Sequence, residues 1–500
     1  MYSQDWLYGV FTSRHRWLAV LATLVLCAVL ALAVGYLLAE FGALIAGAGL
    51  AALFLGLWML RNVEVAYWVV IGVVCLLPFA SFPFDIGVTP TFLDAALGAL
   101  FLIWALQVAT GAQLLNRPSV YPFPHPLALP IAVFLLLAVG SFVFGLAHAP
   151  LTSYVLRHFA EILLSVALFF LVVNTVRDAG RLQRLVRALI LCAFAAAALG
   201  IVLYVVAAYI SDDLVIRALS ALGRLGYPTG PGVLRYIRED PELPMRATST
   251  SVDPNVLGSL LNLALGIAAP QLFTQRPLIR RRYLALMMGV MALCLGLTIS
   301  RGSLVGVGVA LGVLATLRYR KLWLLLLVAL VLLLVLPQTQ DYVAHFVQGI
   351  QVEDLATQMR FGEYKDALIL IGRYPWLGVG FAGSPDIDTY IGVSMVYLLI
   401  AEQMGLVGLA SFLVVMGVFL ARFWRTRALA ASDPELEPVW WGLHAGLIGA
   451  LVGGIFDHYF FNLDFPHSVT LFWLVVGLAT AATEMIRRHS GTRMNADERG

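Results

Sequence analysis

Four arginines of this sequence lie in or beside apolar segments, where a permanent charge is uncommon. Arg246 precedes the stretch ATSTSVDPNVLGSLL, Arg301 stands between two apolar runs in LTISRGSLVG, and Arg360 begins RFGEYKDALILIG. Arg157 lies within another apolar run. A guanidinium stays charged and binds phosphate oxygens through two parallel N–H groups, so arginines that converge at one place would bind a diphosphate. Each arginine taken singly can instead extend along the membrane to the polar interface.

Acidic and histidine side chains supply candidates for a general base. Asp388 lies in SPDIDTYIG just before an apolar run, and Glu402 lies inside that run; Asp386, two residues before Asp388, is a candidate for substrate binding. His458 and His467 flank an aromatic segment in DHYFFNLDFPH. A carboxylate or an imidazole at an outward-facing site can take a proton from a hydroxyl, although a solvated loop carboxylate is the plainer interpretation of Asp388. The spacing of the histidines matches no metal-ligand motif, so we expect no metal and no cofactor.

A helix start beside Arg246 offers a second way to bind an anion. Asp253 and Pro254 predict a capping carboxylate followed by a proline at the first helical position. A stripe of small and polar side chains follows on one helix face, from Asn255 to Gly266. The stripe indicates either close helix packing or an outward cavity, where backbone N–H groups and the guanidinium would bind an anion.

The composition excludes a soluble protein. Hydrophobic residues make up 61% of the 500 residues and charged residues only 12%, against about 25% charged in a soluble domain. The formal net charge is +3, and no nucleic-acid partner is expected. The four cysteines all lie in apolar segments, far apart, and are interpreted as packing residues. We therefore predict an all-α, polytopic transmembrane helix bundle of about 12–14 spans.

Hydropathy places about 14 candidate spans along the chain. Their approximate limits are 17–38, 42–60, 65–81, 91–109, 127–147, 151–174, 185–210, 254–273, 283–299, 303–317, 322–337, 393–421, 439–456 and 468–486. Arginines and lysines fall in alternate loops, so the positive-inside rule puts both termini in the cytoplasm.

This topology places the candidate residues on one face. Residues 1–500 are predicted to form a single integral membrane domain with outer loops at 211–253 and 337–392 and a cytoplasmic tail at 487–500. The second loop is expected to contain a short amphipathic helix, at about 359–371. The four arginines then lie on the outer face or in the outer halves of spans, against the positive-inside bias. This unusual distribution favours their convergence on an outward cavity.

Three blocks of the sequence resemble the O-antigen ligase and O-antigen polymerase superfamily of bacterial membrane glycosyltransferases, which has a GT-C-like fold. They are RATSTSVDPNVLGSLL, LTISRGSLVG and MRFGEYKDALILIGRYPWLGVG, the last leading into EQMGLVGL. The resemblance extends over roughly 151–473. It implies a glycan on undecaprenyl diphosphate, presented at the outer face of the bacterial cytoplasmic (inner) membrane. Arginines that match Arg246 and Arg301 would hold the diphosphate.

The resemblance also implies a reaction. The glycan would pass to an acceptor hydroxyl of a glycan or lipid, with inversion and without a metal, as in the assembly of lipopolysaccharide. Ligases of the superfamily carry a histidine before a pair of glycines that match Gly405 and Gly408; here Ser394 occupies the histidine position. Asp388, or His458 reached from another loop, is then the candidate base. This departure disfavours a ligase acting on lipid A core and favours a polymerase or another transferase.

Two other functions remain open on the sequence. A transporter or flippase for a lipid-linked sugar would place polar residues near the membrane midplane in symmetric halves, whereas the polar residues here cluster outside. A catalytically silent family member, acting with other enzymes of envelope polysaccharide assembly, is compatible with the missing histidine. We favour a membrane glycosyltransferase whose partners are the lipid-linked glycan, its acceptor and the surrounding membrane lipids.

Overall fold

The computed structural model describes residues 54–83, 87–109, 125–147, 149–237, 245–335, 355–383 and 392–497, with scattered positions between 17 and 51 and a few single residues elsewhere. The chain divides into two units, Met1–Val65 and Ala66–Gly500. The second unit contains all the residues that form the candidate site. The first two predicted spans, and the loop residues Asp386 and Asp388, lie largely or wholly outside the described residues.

The described residues form α-helices, short 3-10 turns and one two-stranded antiparallel sheet. The helices are α1 (Val63–Leu76), α2 (Phe92–Ala109), α3 (Ala128–Gly145), α4 (Ser153–Thr175), α5 (Ala179–Tyr209), α6 (Asp212–Ser220), α7 (Pro254–Ala268), α8 (Arg281–Thr298), α9 (Arg301–Leu317), α10 (Leu322–Val335), α11 (Leu355–Arg373), α12 (Val396–Ala430), α13 (Glu437–Gly453) and α14 (Pro466–Asp497). The strands are β1 (Arg235–Tyr236) and β2 (Met245–Arg246), both between α6 and α7.

The predicted fold class is confirmed. Eight of the described helices are long and apolar enough to cross a membrane, and α1, α9 and part of α10 are shorter apolar helices. Every predicted span from residue 65 onward coincides with a helix, because twenty or so apolar residues can satisfy their backbone polar groups in lipid only as a helix. A helix is also present where the amphipathic helix was predicted, as the longer α11.

Small residues bring three central helices together. A Cβ atom added to Gly266 of α7 would lie 2.7 Å from the Cα atom of Gly446 in α13. A Cβ atom added to Gly306 of α9 would lie 2.7 Å from the carbonyl oxygen of Gly449, also in α13. Asn262 of α7 is buried at this contact. This part of the stripe that begins at Asn255 therefore serves helix packing rather than a cavity.

A break in α12 anchors the end of α11. Gly405 has a φ of 68°, and the helix is interrupted there. The loop that follows α11 fills the break: Val379 N–H donates to the Glu402 carbonyl oxygen at 2.9 Å, and Leu406 N–H donates to the Pro375 carbonyl oxygen at 2.7 Å. The glycine-rich turn after α11 is thereby bound to the backbone of α12, which holds α11 in place.

Candidate functional site

Arg246, at the end of β2, is held where the first turn of α7 meets the last turn of α8. Its Nε donates to the carbonyl oxygen of Thr298 at 2.8 Å, and its Nη2 donates to Oδ1 of Asn255 at 2.6 Å. Burial lowers the pKa of Arg246, opposed by the negative charge of Asp253, but a guanidinium remains charged. No partner for Nη1 is found among the described residues. The two bonds orient the guanidinium and leave one edge for a ligand.

Asn255 therefore acts through Arg246. The N–H groups of Asn255 and Val256 both donate to Oδ1 of Asp253, at 2.7 and 3.2 Å, as the cap of α7. The helix start predicted at Asp253 and Pro254 is present, but its N–H groups are not open to an anion, because the capping carboxylate already accepts from them. The expected anion site at this helix end is thus reduced to the guanidinium beside it.

The segment between α13 and α14 connects Arg246 to α11. The hydroxyl of Tyr459 donates to Oδ1 of Asp253 at 3.2 Å. Nη1 of Arg360, on α11, donates to the carbonyl oxygen of Phe456 at 2.8 Å. Burial raises the pKa of Tyr459 well above its ordinary value, so its hydroxyl stays neutral and remains a donor. These bonds bring Arg360 to the same segment that contacts the first turn of α7.

Asp457 lies at the centre of these charges, and the sequence prediction did not select it. Burial raises the pKa of Asp457 to about 6, although the positive charges of Arg360 and Arg246 favour its ionised form. A Cβ atom added to Gly302 would lie 3.8 Å from Oδ2 of Asp457. The only sequence signal for Asp457 is its position in the short polar segment before His458.

Arg301 begins α9 at this meeting point. Ile299, two residues before Arg301, caps α8 in the left-handed conformation with a φ of 55°, so the chain turns sharply into α9. The following residue Gly302 packs on Phe456, whose Cβ would lie 2.9 Å from an added Cβ. Arg301 itself is partly exposed. The structure therefore brings Arg246, Arg360 and the first turn of α9 to one segment, residues 456–459.

His458 has the geometry of a proton acceptor. Its Nδ1 lies 3.2 Å from the carbonyl oxygen of Val393. Because a carbonyl oxygen only accepts, Nδ1 carries the hydrogen, and Nε2 of the neutral ring keeps its lone pair. His458 is partly exposed. Val393 immediately precedes Ser394, the position that the superfamily pattern assigns to a histidine, so an imidazole from another loop lies beside that position.

Glu402 is placed differently from a catalytic carboxylate. Its side chain is fully buried in α12, near the backbone N–H groups of Gly392 and Val393 and the carboxylates of Glu363 and Asp366. The structure does not bring Glu402 to the surface of the segment that carries His458.

Arg157 lies in a separate cavity of about 500 Å³, which we call the Arg157 cavity. It is lined by the first turns of α4, the chain between α1 and α2, and residues 464–467. Arg157 donates to the carbonyl oxygen of Thr89, and its Nη2 lies 2.9 Å from Nε2 of His158. The Tyr154 hydroxyl donates to Asp464 at 2.5 Å. Arg157 is therefore not part of the Arg246 cluster.

Two buried polar side chains also line the Arg157 cavity. Glu161 is 1% exposed and accepts from the Thr91 hydroxyl at 2.9 Å. His467 is 2% exposed, and neither ring nitrogen has a partner among the described residues. The rings of His458 and Phe465 are 6.0 Å apart, and those of Phe465 and His467 are 6.1 Å apart. A single aromatic ring thus separates the cavity from the candidate base.

The helices and these polar clusters define a multi-pass membrane protein with a site built from arginine, aspartate and histidine. A family model described as O-antigen ligase matches residues 286–413. This match bears out the resemblance to the O-antigen ligase and polymerase superfamily, and it supports a ligase- or polymerase-like function in envelope polysaccharide assembly. Arg301 and Arg360 lie inside the matched segment, and Arg246 and His458 lie outside it. No curated protein matches the chain.

Proposed function

We propose that the protein transfers a glycan from undecaprenyl diphosphate to an acceptor hydroxyl at the outer face of the bacterial cytoplasmic membrane. The observation that carries this proposal is the position of His458 on the segment that also binds Arg360 and the first turn of α7. Its Nε2 is available to accept a proton, because Nδ1 donates to the carbonyl oxygen of Val393. A leaving diphosphate needs fixed positive charge, and an attacking hydroxyl needs a base; both lie at one place here.

In the proposed donor site, Arg246 binds the diphosphate through its open edge, and Arg301 and Arg360 approach from the starts of α9 and α11. Asn255 and the Thr298 carbonyl hold the guanidinium of Arg246 in one orientation. Charge develops on the phosphate oxygens as the sugar leaves, and pre-oriented guanidinium groups stabilise that charge without moving. This arrangement removes the need for a metal ion to neutralise the diphosphate.

In the proposed transfer, Nε2 of His458 takes the proton of the acceptor hydroxyl. The hydroxyl oxygen bonds to the anomeric carbon while the bond from that carbon to the diphosphate oxygen breaks. Attack from the face opposite the leaving group inverts the anomeric centre. We assign the Arg157 cavity to sugars of the acceptor, because its arginine, carboxylates and histidines surround about 500 Å³ and lie one aromatic ring away from His458.

The test uses the full chain, purified and reconstituted in nanodiscs, with a labelled oligosaccharide on undecaprenyl diphosphate and an acceptor glycan. Wild type should form a longer glycan and release the lipid diphosphate, and Arg246→Ala should lose about 100-fold or more in rate. Arg217→Ala is the control, since Arg217 is an exposed arginine of α6 outside the cluster. Lipid translocation without product would indicate a flippase. A product that forms only when other envelope enzymes are added, and in equal amount with wild type and Arg246→Ala, would indicate a catalytically silent family member.

A further inference from the structure

A second cavity, which we call the basic cavity, lies at the other end of α4 and α14. Its volume is about 400 Å³, and it is enclosed by α3, α4, α12 and α14. Its charged lining within the described part of the chain consists of four arginines and one carboxylate: Arg177, Arg422, Arg487, Arg488 and Glu484. None of these residues belongs to the proposed transfer site.

The basic cavity lies nearly one membrane thickness from the Arg157 cavity. Along α14, His467 of the Arg157 cavity and Glu484 of the basic cavity are separated by a helical distance of ~26 Å, at 1.5 Å per residue. The corresponding distance along α4, from Arg157 to Val173, is ~24 Å. The hydrocarbon core is about 30 Å thick. The two cavities therefore lie near opposite boundaries of the membrane.

The described lining of the basic cavity holds more basic than acidic side chains. Arg422 pairs with Glu484, and Nε2 of His125 lies 3.2 Å from the same carboxylate. Among the described residues that line the cavity, Glu484 is the one carboxylate, against four guanidinium groups. Arg487 and Arg488 are exposed. The lining as a whole carries an excess of positive charge, which is complementary to an anion.

The rest of the lining is apolar, and the neighbouring surface of α3 is apolar as well. Phe169 and Val173 form part of the wall. On α3, Leu129, Leu136 and Val143 are 71%, 71% and 61% exposed, at a spacing of seven residues that places them on one face. An anion that fits this combination has a phosphate group for the arginines and hydrocarbon chains for the exposed face of α3.

We propose that the basic cavity binds the phosphate headgroup of an anionic phospholipid, with the acyl chains lying along the exposed face of α3. Basic pockets between transmembrane helices near a membrane surface bind phospholipid headgroups of this kind through their guanidinium groups. A bound lipid would bridge α3, α4, α12 and α14 at the end of the bundle opposite the transfer site. This binding is independent of glycan transfer.

The test measures lipid binding by the full chain, purified in detergent, with native mass spectrometry. Phosphatidylglycerol and phosphatidylcholine of the same chain length are titrated separately. Wild type should bind phosphatidylglycerol at a saturable site, about tenfold or more tightly than phosphatidylcholine. The double variant Arg487→Gln/Arg488→Gln should bind phosphatidylglycerol about 25-fold more weakly, because each arginine near an anionic headgroup contributes about fivefold.

The double variant Arg281→Gln/Arg282→Gln is the matched control. Both arginines are exposed at the start of α8, outside the basic cavity, and their loss removes the same charge. Phosphatidylglycerol binding should be unchanged in this control. Equal weakening in the two double variants, no weakening in either, or equal binding of the two lipids would overturn the proposal. Displacement of the lipid by inorganic phosphate at comparable affinity would assign the site to a soluble phosphate and overturn it as well.

Discussion

Replacing His458 with asparagine separates its chemical role from its structural one. The Nδ2 amide of asparagine takes the place of Nδ1 and can donate to the carbonyl oxygen of Val393, which accepts at 3.2 Å in the wild type. The substitution removes Nε2, and with it the proton acceptor. A general base contributes about 10²–10⁴ in rate. We therefore expect kcat to fall by about 10²–10⁴ in His458→Asn, with little change in KM.

The expected loss of folding free energy is smaller than the expected rise in the activation barrier. A rate loss of 10²–10⁴ corresponds to a rise of about 3–5 kcal/mol in the activation barrier. The ring of His458 also packs against Tyr459, with 4.9 Å between centroids, and against Phe465 at 6.0 Å. Losing these two ring contacts removes about 1–2 kcal/mol, while the retained hydrogen bond is worth about 1 kcal/mol. The folded chain should therefore persist while transfer stops.

The assay is single-turnover transfer of a fluorescent oligosaccharide from undecaprenyl diphosphate, in nanodiscs, with apparent melting temperature measured on the same samples. His489→Asn is the control: His489 is on the far end of α14, where its Nδ1 lies 2.7 Å from Oδ2 of Asp433. It should transfer at the wild-type rate. If His458→Asn also kept kcat within about threefold, well short of the loss expected for a general base, the assignment of the base would be refuted, and Asp388 would become the candidate.

Three further predictions concern the fold and charges around the site. Arg246→Lys should lower kcat/KM by about 100-fold, because an ammonium group cannot keep both anchoring bonds and also offer two parallel donors to a diphosphate. Asp457→Asn should change the pH dependence of stability. Because the pKa of Asp457 is raised to about 6, wild type should lose at most about 3 kcal/mol of stability as the pH rises from about 4 to 6. The variant should not show this loss. Gly405→Ala should destabilise the chain by ~2 kcal/mol or more, since φ is 68° and a Cβ atom would overlap the Trp376 carbonyl group. Gly417→Ala, in an open part of the same helix, should be neutral or stabilising.

Each of these predictions has a result that would contradict it. Transfer by Arg246→Lys at the wild-type rate would mean that a point charge is sufficient. Thermal unfolding of Asp457→Asn that runs parallel to wild type from pH 4 to 7 would mean that burial does not perturb this carboxyl. Equal melting temperatures for the Gly405 and Gly417 variants would mean that the break in α12 is not required.

The sequence alone determined the elements of this protein. Apolar runs of about twenty residues predict helices because a backbone in lipid can satisfy its hydrogen bonds only within the helix. The start of α7 was also predictable, since a capping aspartate followed by proline acts locally. The sequence predicted that four arginines converge on one outward cavity, from the unequal distribution of charge between the two faces of the predicted bundle. The structure brings Arg246 and Arg360 to one segment and places Arg157 in another cavity.

Only the tertiary structure decided which of these side chains meet. His458 contacts the carbonyl oxygen of Val393 across 65 residues of sequence, Arg157 lies in its own cavity, and Glu402 is buried. These placements depend on the rotation and crossing of the helices, which are determined by contacts such as that between Gly266 and Gly446. Hydropathy gives the length of a helix and the position of its apolar face. The contact of two small residues at a helix crossing depends on both helices, so the sequence of one segment does not encode it.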